Sequence, residues 1–422
     1  MNIRINWIKQ IIVFCLIGIQ TYAQNSSDEI LSREFYFKKA KKYLLKDSLN
    51  HYNQLEFKLE GVFFFKDSVN KQENNFDYFI SWKDLKNLKK DIENQPYDSV
   101  YNAFIRNKKY VSLGKNNIDK SISKKRIKIA ISPGHLATNF MEAKYEEKYI
   151  EFDSGKIKFY ESDLALRTAL ILKDKLLKEG FDVFLTRSDK KPDIWNLGFD
   201  KWKKERFELT LKEQLELNDN QAEWFKNEAT DQQIFKYLYA KFELRKRAEM
   251  INKFDPDLTI AIHYNVDEKN KDWKKSTNKN FMMTFVPGSF LKNELKKPID
   301  QLNFLKLLAT DNIKKSIQLS KEFISFFRKM SCIPIATVND ADYLSKFCVV
   351  TEEKGVFSRN LAMTRLVNSP ILYGEPLYQD NKKFSRSLNL HNPDRKNKKR
   401  TSKYLKKAAD SYYKSVLSYL RK

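Results

Sequence analysis

After about residue 126 the apolar positions fall into short runs that alternate with helical stripes. Ile127 to Ile131 (IKIAI) is a strand-like run stopped by Pro133-Gly134, a turn signal. Ser162 to Lys178 carries Ala165, Ala169, Leu172 and Leu176 at helical spacing, with Ser162 as candidate N-cap and Gly180 where a left-handed C-terminal residue is wanted. Phe181 to Thr186 (FDVFLT) reads as the next strand. Glu243 to Lys253 reads as a helix broken by Asp255-Pro256, and Leu258 to Ile262 (LTIAI) as a third apolar run. Pro370 to Gly374 (PILYG) adds a strand. Lys403 to Leu420, with Leu405, Ala408, Tyr412, Val416 and Tyr419 on one face, adds an amphipathic helix. Strands alternating with helices predict an α/β fold, a mostly parallel twisted sheet with helices on both faces.

Two long helical stretches interrupt this scheme, at about 189–241, with Trp195, Trp202 and Trp224, and at about 288–327, rich in Lys and Leu. Both read as insertions. Their aromatic residues either pack the inserted helices onto the core, as their large apolar area favours, or form a lid or groove wall over a substrate. Residues 24–122 combine a helical stretch (Ser32 to Leu49) with apolar runs at Phe57 to Phe65 and Phe76 to Trp82, a small N-terminal α+β region of unknown role. A polar, basic stretch from Lys115 to Arg126 reads as a linker to a second domain over 126–422.

Composition narrows the class. The 422 residues are 41% hydrophobic and 32% charged, enough for one large core or two modest ones, which excludes a disordered chain. No apolar run approaches the roughly 20 residues of a membrane-spanning helix. The ten glycines argue against Gly-rich phosphate loops. Residues 1–23 read as an export signal: Arg4 and Lys9 are followed by the apolar core Ile11 to Ile19 and by Thr21-Tyr22-Ala23 before Gln24. The expected location is therefore periplasmic, envelope-associated or secreted. Cys15 leaves with the signal, and Cys332 and Cys348 could pair in an oxidising compartment.

The formal charge is +25, and residues 381–422 hold 14 Lys or Arg against Asp394 and Asp410. Such a field suits nucleic acid, an acidic envelope polymer or an anionic lipid, with export arguing against nucleic acid, and a solvated lysine-rich loop without a partner accounts for it equally well.

Two of the four histidines, His135 and His263, fall at the ends of apolar strand-like runs. In a parallel sheet, side chains just past the carboxyl ends of strands converge in the crevice where ligands bind. A hydrolytic zinc site needs three nitrogen or oxygen ligands and an open position. Glu161, at the start of the helix after the first strand, is the third candidate. Each residue alone has an ordinary structural reading, the glutamate as a charge favoured by the helix dipole; the constellation is what points to metal.

Taken in order, IKIAISPGH (127–135), Glu161 opening a helix, FDVFLTR (181–187), Arg247-Ala248 with Asn252, and DLTIAIHYN (257–265) resemble the motifs of zinc-dependent N-acetylmuramoyl-L-alanine amidases of the AmiC-like, Amidase_3 type. Gly355-Val356, Arg359, Leu361, Arg365 and PILYGE (370–375) resemble that family's last motif block. The resemblance covers about Arg126 to Lys422 minus the two insertions. It implies that His135, Glu161 and His263 hold Zn2+ and that Glu375 is the general base and acid. It also implies peptidoglycan as substrate, cut between N-acetylmuramic acid and L-alanine. An insertion beside such a metal site suits autoinhibition, relieved when an envelope activator protein moves the inserted helices. Ser132, Leu136, Ala137 and Ala261 depart from the family's usual residues but spare those four positions. The alternative is a non-catalytic envelope-binding protein that retains the amidase-like fold.

Overall fold

Strand pairing and contacts divide the chain into two units, in a computed structural model that describes residues 28–94, 99–100, 103–104, 106, 110, 112, 126–213, 217–395 and 400–422. The export-signal segment 1–23, linker residues 115–125 and residues 396–399 of the basic tail lie outside the described residues.

The first unit takes in Met1–Gln95, Ser99–Asn117 and Phe290–Thr310. Strands β1 (Leu55–Phe57), β2 (Gly61–Phe64) and β3 (Tyr78–Ser81) form an antiparallel meander. The meander needs glycine at 61, because a Cβ there would lie 2.0 Å from the Ile80 carbonyl oxygen. Phe57 and Phe64 pack edge-on to Phe304 of the helix Pro298–Ala309, with ring centroids 6.5 and 6.3 Å apart. The Lys39 ammonium is buried and donates to the Leu308 carbonyl (2.8 Å) and that of Thr310, a cation placed where helix-end carbonyls lack partners.

Among the described residues the second unit holds nine strands: β4 (Lys128–Pro133), β5 (Tyr149–Phe152), β6 (Ile157–Tyr160), β7 (Asp182–Leu185), β8 (Leu258–Ile262), β9 (Met283–Val286), β10 (Cys348–Val350), β11 (Val356–Arg359) and β12 (Ile371–Glu375). β5 and β6 make a separate hairpin. The other seven form one sheet in the order β10-β11-β9-β12-β8-β4-β7, parallel except at β10–β11 and β9–β12. The expected mostly parallel α/β sheet is thus observed, with a mixed edge. β9, β10 and β11 escaped sequence reading because runs of three or four residues show too little alternation to stand out.

Alternation along the strands gives each face its helices. Ala130, Ala261 and Ile371 pack against Ala248 and Ile251 of the helix Ala240–Phe254 and Met363 of the helix Ala362–Leu366. On the opposite face lie the helices Glu161–Lys178, Asn312–Ser331 and Lys403–Leu420. Phe323 stacks on Tyr412 at 4.2 Å, and the Ile371 amide donates to Ser316 Oγ at 2.9 Å.

The two interrupting stretches behave differently. Residues 189–241 are helical, over Phe199–Glu205, Phe207–Glu213, Asp219–Asn227 and Asp231–Ile234, and run through a π-turn at Phe235–Tyr239 into the helix that follows. Trp202 is fully buried with Phe199, Phe235 and Tyr239, while Trp195 and Trp224 pack partly buried against that cluster. Trp202 thus packs inside the inserted helices, whereas Trp195 and Trp224 keep part of their surface exposed. Residues 288–327, read as a single insertion, divide: 290–310 group with the first unit, and the helix beginning at Asn312 covers the sheet. Cys332 is exposed and Cys348 is buried, and no disulfide joins the two. Among the described residues no helix is long and apolar enough to cross a membrane.

Gly374 sits where a Cβ would lie 2.1 Å from the Tyr412 hydroxyl. Gly374→Ala is expected to lower stability by about 1–3 kcal/mol through overpacking, read by thermal or urea unfolding. Part of that loss should return in the Gly374→Ala/Tyr412→Phe double variant, and strict additivity would contradict the packing assignment.

Candidate metal centre

Three adjacent parallel strands end level with one another. Pro133 of β4 pairs with Ile262 of β8, which pairs with Gly374 of β12, so the next residues in register are Gly134, His263 and Glu375. The Gly134 amide donates to the Ile262 carbonyl at 2.8 Å and the His263 amide to the Gly374 carbonyl at 3.0 Å. A Cβ on Gly134 would come within 2.3 to 2.6 Å of the His263 imidazole, so the missing side chain is what lets the ring lie across the end of β4. His135 follows with φ of 60°, a left-handed conformation uncommon for a residue with a Cβ.

Glu161 is the first residue of the helix Glu161–Lys178, whose positive end favours a carboxylate. Its Oε1 lies 3.0 Å from His135 Nε2 and 3.2 Å from His263 Nδ1, and accepts the Tyr264 amide at 3.0 Å. Its Oε2 accepts from Gln379 Nε2 at 3.2 Å. One candidate ligand atom from each of His135, Glu161 and His263 thus falls within 4.8 Å of the others, the only group with this character among the described residues. The other two histidines take no part: His51 is exposed and His391 faces Asp163 at 3.4 Å.

The surrounding groups set the protonation. His135 Nδ1 is 2.9 Å from Glu146 Oε1, whose other oxygen accepts the amides of Leu136 (3.2 Å) and Ala137 (3.3 Å). A proton shared on that side leaves Nε2 as the ligating lone pair, the arrangement in which a second carboxylate orients a metal-binding imidazole. Burial alone would lower the His135 pKa, but Glu161 and Glu146 overcome it and raise it to about 9. Burial lowers His263 to about 4, opposed by its hydrogen bond with Glu161 and assisted by the His135 charge. Burial would raise Glu161, yet the His135 charge and the hydrogen bonds from both histidines hold it well below the usual carboxylate range. Two carboxylates around His135 call for positive charge, which suits a divalent cation, and two imidazoles with one carboxylate are a zinc donor set.

Glu375, at the end of β12, is buried, and its Oε2 has no hydrogen-bond partner among the described residues. Burial first, and then the negative Glu161, push its pKa well above the ordinary value. An orphaned carboxylate oxygen beside such a donor set is the group that could accept a proton from a reacting water.

Sequence reasoning marked Arg187, Arg247 and Asn252 but assigned them no role. Arg187 is buried and donates to the carbonyls of Gly134 (2.8 Å) and Ser162 (2.7 Å). Arg247 donates to the Pro133 carbonyl at 2.8 Å and pairs with the buried Glu243. The two guanidiniums clamp the strand-end loop that presents His135. Asn252 bridges the Leu366 carbonyl and the Asn368 amide, each at 2.9 Å, and braces the approach to β12. Glu146 and Gln379 carried no sequence signal, since their roles arise from neighbours distant in the chain, and Tyr373, inside the PILYGE run but given no role there, stacks on His263 at 4.2 Å. The inserted helices reach the loop as well, because Leu136, next to His135, belongs to the Trp202 cluster.

A model of the family described as N-acetylmuramoyl-L-alanine amidase matches residues 129–418. Among solved structures, the chain resembles the CwlD amidase of Clostridioides difficile, determined in complex with the GerS lipoprotein, at 16% identity and a TM-score of 0.37, covering 70% of this chain and 99% of that one. It resembles the amidase AmiC2 of Nostoc punctiforme at 11% identity and a TM-score of 0.38, covering 71% and 100%. The catalytic domain of CwlV from Bacillus (Paenibacillus) polymyxa var. colistinus is similar at 14% identity and a TM-score of 0.38, covering 70% and 98%. No curated protein matches the sequence.

Glu146→Gln is expected to weaken divalent-metal affinity by roughly 10–100-fold, measured by competition with a chromophoric chelator. Affinity equal to that of the unaltered protein would show that Glu146 does not orient His135.

Proposed function

The chain belongs to the N-acetylmuramoyl-L-alanine amidase family, and from that premise we propose an exported zinc amidase that cuts the bond between N-acetylmuramic acid and L-alanine in peptidoglycan. The observation that carries the reading is the level ending of β4, β8 and β12, which gathers two imidazoles, one carboxylate and a second, unpaired carboxylate. His135 Nε2, Glu161 Oε1 and His263 Nδ1 would hold the ion. Zinc, when bound, lowers the pKa of water towards about 7 and polarises an amide carbonyl.

Glu375 takes the proton of the attacking water on its free oxygen. The same carboxyl then passes a proton to the departing L-alanine nitrogen, which an amide requires because an unprotonated amine anion is a very poor leaving group. Glu146 holds the His135 tautomer, and Arg187 and Arg247 keep the loop in place while charge shifts around it. In this reading residues 126–422, apart from 290–310, are the catalytic part. Export rests on the sequence of residues 1–23, and the strong positive charge of the remaining chain suits a polymer bearing peptide carboxylates.

The purified protein is expected to release from peptidoglycan stem peptides with a free L-alanine amino terminus, read by mass spectrometry, with release abolished by a chelator and restored by zinc. Glu375→Gln should keep the metal and slow release by about 10²–10⁴-fold. Undiminished release by that variant would remove Glu375 from the chemistry.

A further inference from the structure

Two cations flank the site with no carboxylate partner among the described residues. Arg359, at the end of β11, has its guanidinium 5.0 Å from the Phe285 ring centroid and 4.8 Å from that of Tyr343. Those rings connect directly to the centre: Phe285 packs edge-on to Tyr373 at 5.9 Å, Tyr373 stacks on His263, and the Tyr343 hydroxyl accepts from Asn265 at 2.7 Å. On the other flank, Lys148 has its ammonium 4.8 Å from the Trp273 ring centroid, and its carbonyl accepts the Glu161 amide at 3.1 Å. Both side chains are half-buried, and both charges act on Glu375.

Among the described residues neither cation forms an ion pair, although 54 Asp and Glu stand in the chain and most site charges are paired. An aromatic face positions a cation without consuming its donors: a guanidinium stacked on a ring keeps its in-plane N–H groups free, and an ammonium over an indole keeps N–H bonds pointing outward. A held cation with unspent donors is a receptor for a carboxylate, and partial burial reduces the screening that makes surface charges weak.

We propose that Lys148 and Arg359 are specificity-determining residues that bind the free carboxylates of the substrate's stem peptide and so select it by charge. This rests on the amidase reading above and adds the chemistry by which this chain recognises the peptide.

The test is a matched pair of soluble muramoyl peptides whose acidic residue carries either carboxylates or carboxamides. The unaltered protein should prefer the carboxylate peptide in kcat/KM. Arg359→Gln and Lys148→Gln should each reduce that preference roughly tenfold, chiefly through KM, and Arg359→Lys should recover part of it. Variants that keep the preference, whatever their overall activity, would overturn the proposal. So would variants that move only the pH profile, since the cations would then act on Glu375 and not on substrate.

If the unaltered protein cleaves neither peptide, the amidase reading fails separately, and calorimetric binding of the same pair decides. Carboxylate-dependent binding weakened about tenfold by either variant would support recognition, and binding indifferent to both would refute it.

Discussion

The site depends on the parallel register of β4, β8 and β12. Because these strands end level, residues more than a hundred positions apart meet within a hydrogen bond's reach. The register is enforced from both faces of the sheet, by small residues such as Ala130 and Ala261 against one set of helices and by Gly374 against Tyr412 on the other. Backbone closeness at Gly134 then decides whether the His263 ring can lie where it does. Displacing any of these strands by one residue would turn its side chains to the opposite face and dissolve the cluster.

Charge is the second constraint. Glu161, Glu243 and Glu375 are buried near one another, with the mostly covered Glu146 beside them and Arg187 and Arg247 among them. Burial raises the cost of every unpaired charge, so the loop carrying His135 is held by a nearly closed set of pairs. The guanidinium of Arg187, lowered to about 10 by burial and by Arg247, reports how crowded this set is. The exception is Glu375, whose free oxygen sits outside that pairing, as the proposed proton transfer requires.

Much of this was legible in the sequence, and the reasons are physical. Short but wholly punctuated runs, bounded by Pro-Gly or Asp-Pro, identified β4 and β8, and a histidine at the end of each pointed to the crevice. Glu161 was legible because it opens a strongly periodic helix. Strands β9 to β11 were not, since three or four residues cannot display a period. Nor were Glu146 and Gln379, because a carboxylate on a short helix or an amide in a loop is ordinary until tertiary contacts bring it to a histidine or to Glu161. Residues 290–310 show the same limit at larger scale: their helical pattern was visible, while the unit they join depends on Phe57, Phe64 and Lys39, more than two hundred positions earlier.

The central claim is that His135, Glu161 and His263 share one metal ion, and X-ray absorption spectroscopy with metal analysis of the purified protein tests it most directly. The account predicts one zinc per chain, with nitrogen and oxygen neighbours at about 2.0–2.2 Å and loss of that shell in a Glu161→Ala variant. A protein that takes up no zinc, or whose zinc shell is unaltered by removing Glu161, would contradict it.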